Sequence, residues 1–348
     1  MAKTSNKTLI FKKVPDGFPK PGDIVVEDRP IDLSDCPDGG VVAQVLSVSL
    51  DPYLRGRMRA PEAKSYFPPF ALDGPVENAA VCRVVTSRSD RLAEGDLVRV
   101  SMCAVAQYAA LPAARLEGPR VKLDPSLGID PAHYLGALGM PGLTAFAGLY
   151  DIGKPKKGET IFVSSAAGAV GQLVGQLALR EGLRVIGSAG SDDKVEFVKS
   201  LGFHGAFNYK EEKPDEALAR LAPDGIDIYF ENVGGEHLEA ALNHMNKRGR
   251  IPACGMIADY NRASGEQATG IRNLFLVVGK EITMRGFLVN SLAPEYSQKH
   301  FEEVSKALRD GSIKAKVHVT DGIERGLEGI LAVLQGGNFG KAVLKISD

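Results

Sequence analysis

A strand that runs into a turn of small residues and then into a helix is the feature that most constrains this chain. Residues 160–171 read Thr-Ile-Phe-Val-Ser-Ser-Ala-Ala-Gly-Ala-Val-Gly, and their apolar start is typical of a buried parallel strand. Apolar residues then recur at helical spacing, which predicts a helix over 168–181. Such a turn lets the backbone approach a phosphate, and the N–H groups of the first helical turn attract negative charge. The run therefore predicts a dinucleotide-binding Rossmann unit.

The spacing of small residues follows the Rossmann fingerprint with one substitution. Ala166, Gly168 and Gly171 occupy the three glycine positions, so the first of them is alanine. The pattern alone is weak evidence for a dinucleotide site, and its place between a predicted strand and a predicted helix strengthens that evidence. The residues predicted to contact the pyrophosphate are Ala166, Ala167, Gly168, Ala169, Val170 and Gly171.

The rest of the chain divides by its periodicity. From about residue 127, strands and helices alternate, and repeated β-α-β units predict a doubly wound parallel sheet. Its predicted elements are strand 160–165, helix 168–181, strand 184–188, helix 192–201, strand 226–230, helix 235–246, strand 249–254 and strand 281–288. Before that point, short Val-rich strands separated by turn residues predict an all-β or barrel-like domain, which a helix over 301–308 and a strand over 342–346 rejoin. We predict an α/β protein with a Rossmann domain over 131–303 and a β-rich domain made of 1–130 and 304–348.

Composition excludes several classes of protein. The 348 residues carry a net charge of −1, which argues against a nucleic-acid or membrane-surface protein. No apolar run approaches the roughly 20 residues that span a bilayer or forms a signal peptide, so we expect a cytoplasmic protein. The four cysteines, at 36, 82, 103 and 254, show no C-x-x-C spacing and no nearby histidine, so no metal site is predicted.

The second strand of the Rossmann unit indicates which dinucleotide binds. NAD-binding units place a carboxylate there for the ribose 2′-hydroxyl, whereas this strand ends in Gly187 and Ser188. Gly190 and Lys194 offer hydrogen-bond donors, and Tyr209 can cover the same corner, so we predict NADP(H). The alternative is that residues 192–194 only begin a helix, with a solvated lysine.

Several segments together resemble one family along nearly the whole chain. These segments are residues 51–58, 139–149, 163–175, 188–194, 207–210, 227–235 and 337–342. They resemble the zinc-independent medium-chain dehydrogenases/reductases, in the branch of the NADPH-dependent alkenal/one oxidoreductases, leukotriene B4 12-hydroxydehydrogenase (prostaglandin reductase) and bacterial curcumin reductase. The resemblance implies a GroES-like catalytic domain built from both chain ends and a central Rossmann domain. At the zinc-ligand positions of the zinc-dependent relatives this chain has Leu-Asp-Pro-Tyr at 50–53 and Asp-Gly-Pro-Val-Glu at 73–77.

Without a metal to polarise a carbonyl, hydride transfer to an already activated double bond is the chemistry we predict. The expected reaction is reduction of the C=C bond of an enone or enal, in which a hydrogen-bond donor stabilises the enolate oxygen. Tyr260 is the first candidate, because a neutral phenol donates a hydrogen bond and it matches the family's active-site tyrosine. Tyr53 is the second, to orient the substrate carbonyl. Each has a plain alternative, a loop tyrosine in water for Tyr260 and a pocket wall for Tyr53.

Further residues are expected around substrate and cofactor. Tyr66, Phe70 and Phe287 are predicted to line the substrate pocket. The resemblance implies cofactor contacts from Asn232, Cys254, Phe287, Val289 and Asn338. The edge strand 281–289 predicts a homodimer, because pairing across a twofold axis covers its open backbone. A quinone reductase and a non-catalytic NADPH-binding protein remain as alternatives.

Overall fold

The computed structural model describes residues 3–118 and 120–348 and divides into two compact units. Unit 1 comprises Met1–Leu135 and Val317–Asp348, and unit 2 comprises Gly136–Lys316. No helix among the described residues is long and apolar enough to cross a membrane.

The first part of unit 1 is made of short strands. They are β1 (Lys7–Phe11), β2 (Ile24–Asp28), β3 (Val41–Ser49), β4 (Gly74–Pro75), β5 (Glu77–Ser87), β6 (Leu97–Ala104) and β7 (Tyr108–Leu111), with the single-turn helix α1 (Leu54–Arg57). Single 3₁₀ turns at Ala113–Leu116, Pro125–Leu127 and Pro131–Leu135 follow.

Unit 2 is a parallel six-stranded sheet with helices between its strands. The strands are β8 (Thr160–Val163), β9 (Arg184–Ala189), β10 (Gly205–Asn208), β11 (Ile226–Phe230), β12 (Met245–Ala253) and β13 (Thr283–Gly286). The helices are α2 (Met140–Ala147), which continues as a π-helical segment at Gly148–Gly153, then α3 (Gly171–Arg180), α4 (Asp192–Ser200), α5 (Pro214–Leu221), α6 (Gly235–His244), α7 (Leu276–Gly279) and α8 (Val289–Arg309). A 3₁₀ turn at Ile257–Asp259 follows β12. The strand order β10-β9-β8-β11-β12-β13 is the Rossmann order, so the predicted fold class is confirmed.

The chain then returns to unit 1. Its last elements are β14 (Val317–Asp321), a 3₁₀ turn at Ile323–Arg325, α9 (Gly326–Leu334) and β15 (Lys341–Lys345). The order β14-β15-β3-β5-β6, with β7 also on β3, places the C-terminal strand beside β3, and a smaller sheet has the order β2-β1-β4. The apolar faces of these strands form the core of unit 1.

Unit 2 ends at residue 316, whereas the sequence predicts residue 303. Two glutamine side chains on α3 hold the additional residues in unit 2. Gln176 exchanges two hydrogen bonds of 2.8 Å with the backbone of Lys314. Gln172 does the same with Lys316, at 2.9 and 3.2 Å. Each glutamine amide pairs with a backbone N–H and C=O as a neighbouring strand would, and these hydrogen bonds hold residues 314–316 against α3.

Several element bounds differ from the prediction. Helix α3 begins at Gly171 rather than 168, because the preceding residues form turns and Ala166 donates its N–H to Ser188 O at 2.8 Å. Helix α8 is far longer than the predicted 301–308, and the preceding strand ends at Gly286 instead of 288. The sequence analysis did not identify α5 or β14.

Candidate active site

The turn between β8 and α3 is held by close backbone packing. Ser165 adopts a left-handed conformation (φ 52°), and its carbonyl accepts the N–H of Gly168 at 2.9 Å. A Cβ on Gly171 would lie 2.3 Å from that same carbonyl oxygen, so a larger residue cannot fit there. The turn therefore directs the N-terminus of α3 to the carboxyl edge of the sheet, where a pyrophosphate is expected.

Alanine at the first fingerprint position has a structural counterpart on the neighbouring strand. Ala166 is fully buried, and a Cβ on Gly187 of β9 would lie 2.6 Å from the Ala166 Cβ. The methyl group that the fingerprint normally omits thus occupies space that Gly187 leaves open. The two positions are coupled by volume, which explains how the motif accepts this substitution.

The corner after β9 combines positive charge with a tyrosine. The Tyr209 hydroxyl packs over Gly190, where an added Cβ would lie 2.9 Å from it. Burial, and then the charge of Lys210, lower the pKa of Lys194. Two lysine side chains at this corner provide positive charge suited to a phosphate group. The rings of His237 and Tyr209 form a T-shaped pair, with their centroids 5.1 Å apart.

A buried carboxylate lies at the carboxyl end of β11. Glu231 is inaccessible to solvent, and its Oε1 accepts hydrogen bonds from the N–H groups of Val233 and Gly234 at 2.6 and 2.9 Å. The Tyr229 hydroxyl donates to the same oxygen at 2.7 Å. Burial raises the pKa of Glu231 despite these donors, and its Oε2 has no hydrogen-bond partner. Glu231 therefore organises the loop that follows the strand.

Asn232 and Cys254 continue this edge. Asn232 donates its backbone N–H to Ser164 Oγ at 2.9 Å and its Nδ2 to Ser164 O at 2.8 Å, which joins the ends of β8 and β11. Cys254 donates its N–H to Glu231 O at 2.9 Å. Burial and the Glu231 charge raise the pKa of the Cys254 thiol to about 12, so it stays protonated and unreactive.

Tyr260 closes the 3₁₀ turn after β12. A Cβ on Gly255 would lie 2.9 Å from the Tyr260 hydroxyl oxygen, so the hydroxyl lies directly over this glycine. Gly255 itself donates its N–H to Glu231 O at 3.1 Å. The phenol is thus positioned at the carboxyl edge of the parallel sheet, on a backbone that Glu231 holds.

Phe287 and Val289 follow β13. The ring of Phe287 packs against Phe230 at 6.5 Å, and a Cβ on Gly148 would lie 2.6 Å from it. Val289 is the first residue of α8. Within unit 2, Phe287 therefore packs between neighbouring elements and Val289 begins a helix, whether or not either contacts a ligand.

The remaining predicted residues belong to unit 1. Tyr53 precedes α1 and stacks at a tilt on Phe67, with ring centroids 5.4 Å apart, while Tyr66 is 60% exposed. Phe70 is only 2% exposed and packs on Phe11 in the core, so its predicted place in the pocket wall is not supported. Asn338 donates Nδ2 to Gly340 O at 2.8 Å within a turn.

The sequence analysis missed the residues that hold these groups in place. Glu231 and Ser164 support the edge in unit 2, and Asn78 and Lys341 support Tyr53 in unit 1. A charged residue at the end of an apolar strand was the available signal for Glu231. In the described part of the chain, no group of three or more His, Cys, Asp or Glu residues could hold a metal ion.

Comparisons with known proteins identify the family. Residues 7–118 match a family model described as the N-terminal domain of oxidoreductase, and residues 169–309 match one described as zinc-binding dehydrogenase. The NADP-dependent oxidoreductase RED1 of Cochliobolus heterostrophus is 51% identical over 99% of this chain and 98% of its own. The chain belongs to the zinc-independent medium-chain dehydrogenase/reductase family.

Two further members of this family are informative. The NADP(+)-dependent 2-alkenal reductase of Nicotiana tabacum is 43% identical over 99% of this chain and 98% of its own. CurA from Vibrio vulnificus, solved in complex with NADPH, is 32% identical with a TM-score of 0.87, covering 98% of this chain and 99% of its own. The medium-chain fold is therefore shared along the whole length of the chain.

Proposed function

We propose that this chain reduces the C=C bond of α,β-unsaturated ketones and aldehydes. It is an NADP(H)-dependent oxidoreductase of the medium-chain family. The observation that carries the finer proposal is the Tyr260 hydroxyl over Gly255, at the edge of the sheet where a Rossmann fold binds its ligand. The similarity to a 2-alkenal reductase supports the choice of substrate class.

The residues of unit 2 suit NADPH. The turn over 166–171 would hold the pyrophosphate, and Lys194 with Tyr209 would hold the 2′-phosphate. Asn232 would approach the nicotinamide ribose, with its backbone anchored on Ser164. When bound, NADPH supplies the hydride for the substrate's β-carbon.

The chain's own chemistry is stabilisation of the enolate that this reduction creates. Negative charge develops on the substrate oxygen, and a donor fixed beforehand stabilises it without reorganising. The Tyr260 phenol is proposed as that donor. A phenol hydroxyl is a hydrogen-bond donor that carries no charge in its protonated form. The buried, protonated Cys254 is proposed to contribute only through its backbone.

The test measures NADPH oxidation with a panel of 2-alkenals, cyclic enones, diarylenones and quinones. Enones and enals should be reduced with NADPH in preference to NADH. Turnover of quinones alone would replace the proposal with a quinone reductase, and no turnover with any substrate would refute it.

Tyr260→Phe provides the mechanistic test with a good enone. Removing one donor to a developing oxyanion should lower kcat about 100-fold. Tyr108→Phe, a partly buried tyrosine in β7, is the matched control and should leave kcat unchanged. Equal rates for wild type and Tyr260→Phe would remove Tyr260 from this role.

We also propose that the chain forms a homodimer through β13 and works in the cytoplasm. Strand β13 lies at one end of the parallel sheet, and the nearby segment exposes Phe275 and Val278. Pairing with the same strand of a second copy would provide hydrogen-bond partners for the backbone groups at this edge and would cover the apolar surface. Light scattering after size exclusion should give twice the 37.1 kDa chain mass, and a single-chain mass would refute the dimer. All four cysteines are free thiols, which fits a reducing compartment.

A further inference from the structure

A buried histidine at the start of α6 packs against the tyrosine that is proposed to hold the 2′-phosphate. His237 is the third residue of α6 and is only 5% exposed. Its ring lies parallel to that of Phe162 in β8, with an interplanar angle of 4° and centroids 6.3 Å apart. The same ring forms the T-shaped pair with Tyr209, at an interplanar angle of 76°. His237 therefore joins the core of unit 2 to Tyr209.

The imidazole of His237 contributes a ring to this corner and not a charge. Burial lowers the pKa of His237 to about 4, so the ring is neutral near pH ~7. Its Nε2 atom has no hydrogen-bond partner among the described residues. Positive charge at the corner comes instead from Lys194 and Lys210. The contacts through which His237 acts on the corner are therefore those of its ring.

The side chain of Tyr209 is less firmly held than its backbone. The Tyr209 N–H donates to Ala189 O at 3.0 Å, which continues the pairing of β10 with β9. The side chain is 37% exposed, and its hydroxyl lies over Gly190, in the loop where a Rossmann fold recognises the 2′ position of the ribose. Because the backbone is fixed, the rotamer of the side chain decides where the hydroxyl lies. Contact with the His237 ring favours the rotamer that lies over Gly190.

We propose that His237 is a positioning residue for Tyr209, and that it thereby determines how strongly the protein prefers NADPH to NADH. The inference rests on the proposed contact between Tyr209 and the 2′-phosphate. His237 holds the phenol over Gly190, where its hydroxyl donates to a phosphate oxygen. NADH carries a hydroxyl group in place of this phosphate and forms no charge-assisted hydrogen bond there, so its affinity depends less on His237.

Fluorescence titrations with NADPH and with NADH give the two dissociation constants without any turnover. Tyr209→Phe should weaken NADPH binding about tenfold and NADH binding less than about twofold, as expected for loss of a hydrogen bond to a charged group. His237→Ala should reduce the preference for NADPH about fivefold, since the phenol then occupies its position over Gly190 for less of the time. Equal weakening of NADPH and NADH binding in His237→Ala would overturn the inference.

A double-mutant cycle tests whether His237 acts through the Tyr209 hydroxyl. In the Tyr209→Phe background, His237→Ala should not reduce the preference for NADPH any further. Additive losses of preference in the double variant would overturn the inference.

His237→Phe is the conservative variant, because it keeps an aromatic ring and removes both nitrogens. It should retain the preference for NADPH to within about twofold, as a ring contact requires. A loss as large as that in His237→Ala would mean that an imidazole nitrogen binds the cofactor directly, which would overturn the inference. If His237→Ala does not fold, His237→Leu, which has a similar volume and no ring, replaces it.

His300→Ala is the matched control. His300 is another buried histidine of unit 2, and its Nε2 lies 2.8 Å from Ala137 O while its ring packs on Phe146 with centroids 5.8 Å apart. Its loss should lower the melting temperature and leave the preference for NADPH unchanged. A change of preference as large as that of His237→Ala would reduce the His237 effect to general loosening of unit 2 and overturn the inference.

Crystal structures of the wild type and of His237→Ala, both without cofactor, give a readout that is independent of binding. The Tyr209 hydroxyl should lie over Gly190 in the wild type and leave this position in the variant. The same Tyr209 position in both structures would overturn the inference. If Tyr209→Phe leaves the preference for NADPH unchanged, the proposed 2′-phosphate contact fails, whereas the crystal structures still decide whether His237 positions Tyr209.

Discussion

Each unit of this protein buries one carboxylate beside a candidate tyrosine, and the two carboxylates are stabilised in different ways. Asp51 in unit 1 receives an ammonium group from Lys341 and an amide from Asn78. Glu231 in unit 2 accepts hydrogen bonds from two backbone N–H groups and from the Tyr229 phenol, and none of these donors carries a positive charge. Asp51 is therefore one partner of an ion pair, whereas Glu231 accepts hydrogen bonds from the loop that follows its strand.

The two carboxylates also differ in how far along the chain their hydrogen-bond partners lie. The Lys341 contact joins residues 290 positions apart, so the support behind Tyr53 depends on correct docking of the C-terminal strand. The three shortest hydrogen bonds to Glu231 Oε1 come from groups within three residues of it. Ser164 Oγ, from the end of β8, is a more distant donor at 3.4 Å. The structure around Tyr53 should therefore depend on the charge of one distant residue, Lys341. The structure around Tyr260 should depend on the hydrogen bonds that Glu231 accepts from the neighbouring backbone.

The largest expected effect is that of Lys341→Met. Removing the cation leaves the Asp51 carboxylate buried without a counter-charge, and breaking a buried pair costs roughly 3–5 kcal/mol in the free energy of unfolding. Denaturant titration measures the loss. Lys345→Met, at the exposed end of the same strand, is the matched control and should change little. The double variant Asp51→Asn, Lys341→Met should recover part of the loss. Equal stability of Lys341→Met and wild type would contradict the ion-pair description.

A smaller loss is expected for Glu231→Ala. The N–H groups of Val233 and Gly234 lose their acceptor, which costs about 1–3 kcal/mol, but no unpaired charge is left behind. Denaturant titration again gives the free energy of unfolding, and NADPH fluorescence gives the cofactor affinity, which should fall as the loop loosens. Glu236→Ala, exposed on the first turn of α6, serves as the control. A loss larger than that of Lys341→Met would reverse the comparison.

The smallest effect is a pH dependence of the free energy of unfolding that Glu231 should produce. Burial raises the pKa of Glu231 above 4.5, so the folded state holds this proton more tightly than the unfolded state. Its stabilising contribution is therefore fully present below pH 4.5 and declines as the pH rises through the raised value. The stability of the wild type relative to Glu231→Gln should fall over this range. A relative stability that increases with pH would mean that the donors outweigh burial.

Much of the fold followed from local patterns. The strand, turn and helix around Ala166–Gly171 and the succession of later strands appear where the periodicity predicts them, because apolar spacing is a property of adjacent residues. The start of α3 was misplaced, since its turn is set by a bond between Ala166 and Ser188 on another strand. Phe70 was assigned to a pocket because nothing in an aromatic, Pro-rich loop reveals that one ring enters the core.

The sequence by itself determined the Rossmann unit, the family and the nicotinamide cofactor, since these depend on short motifs and on residue types at strand ends. Only the tertiary structure decided how buried polar groups are paired: Asn78 with Tyr53, Lys341 with Asp51, and Glu231 with its own loop. The physical reason is that hydrophobic periodicity acts between near neighbours in sequence. A buried hydrogen-bonding group, by contrast, must find its partner among whatever residues the folded strands bring within about 3 Å.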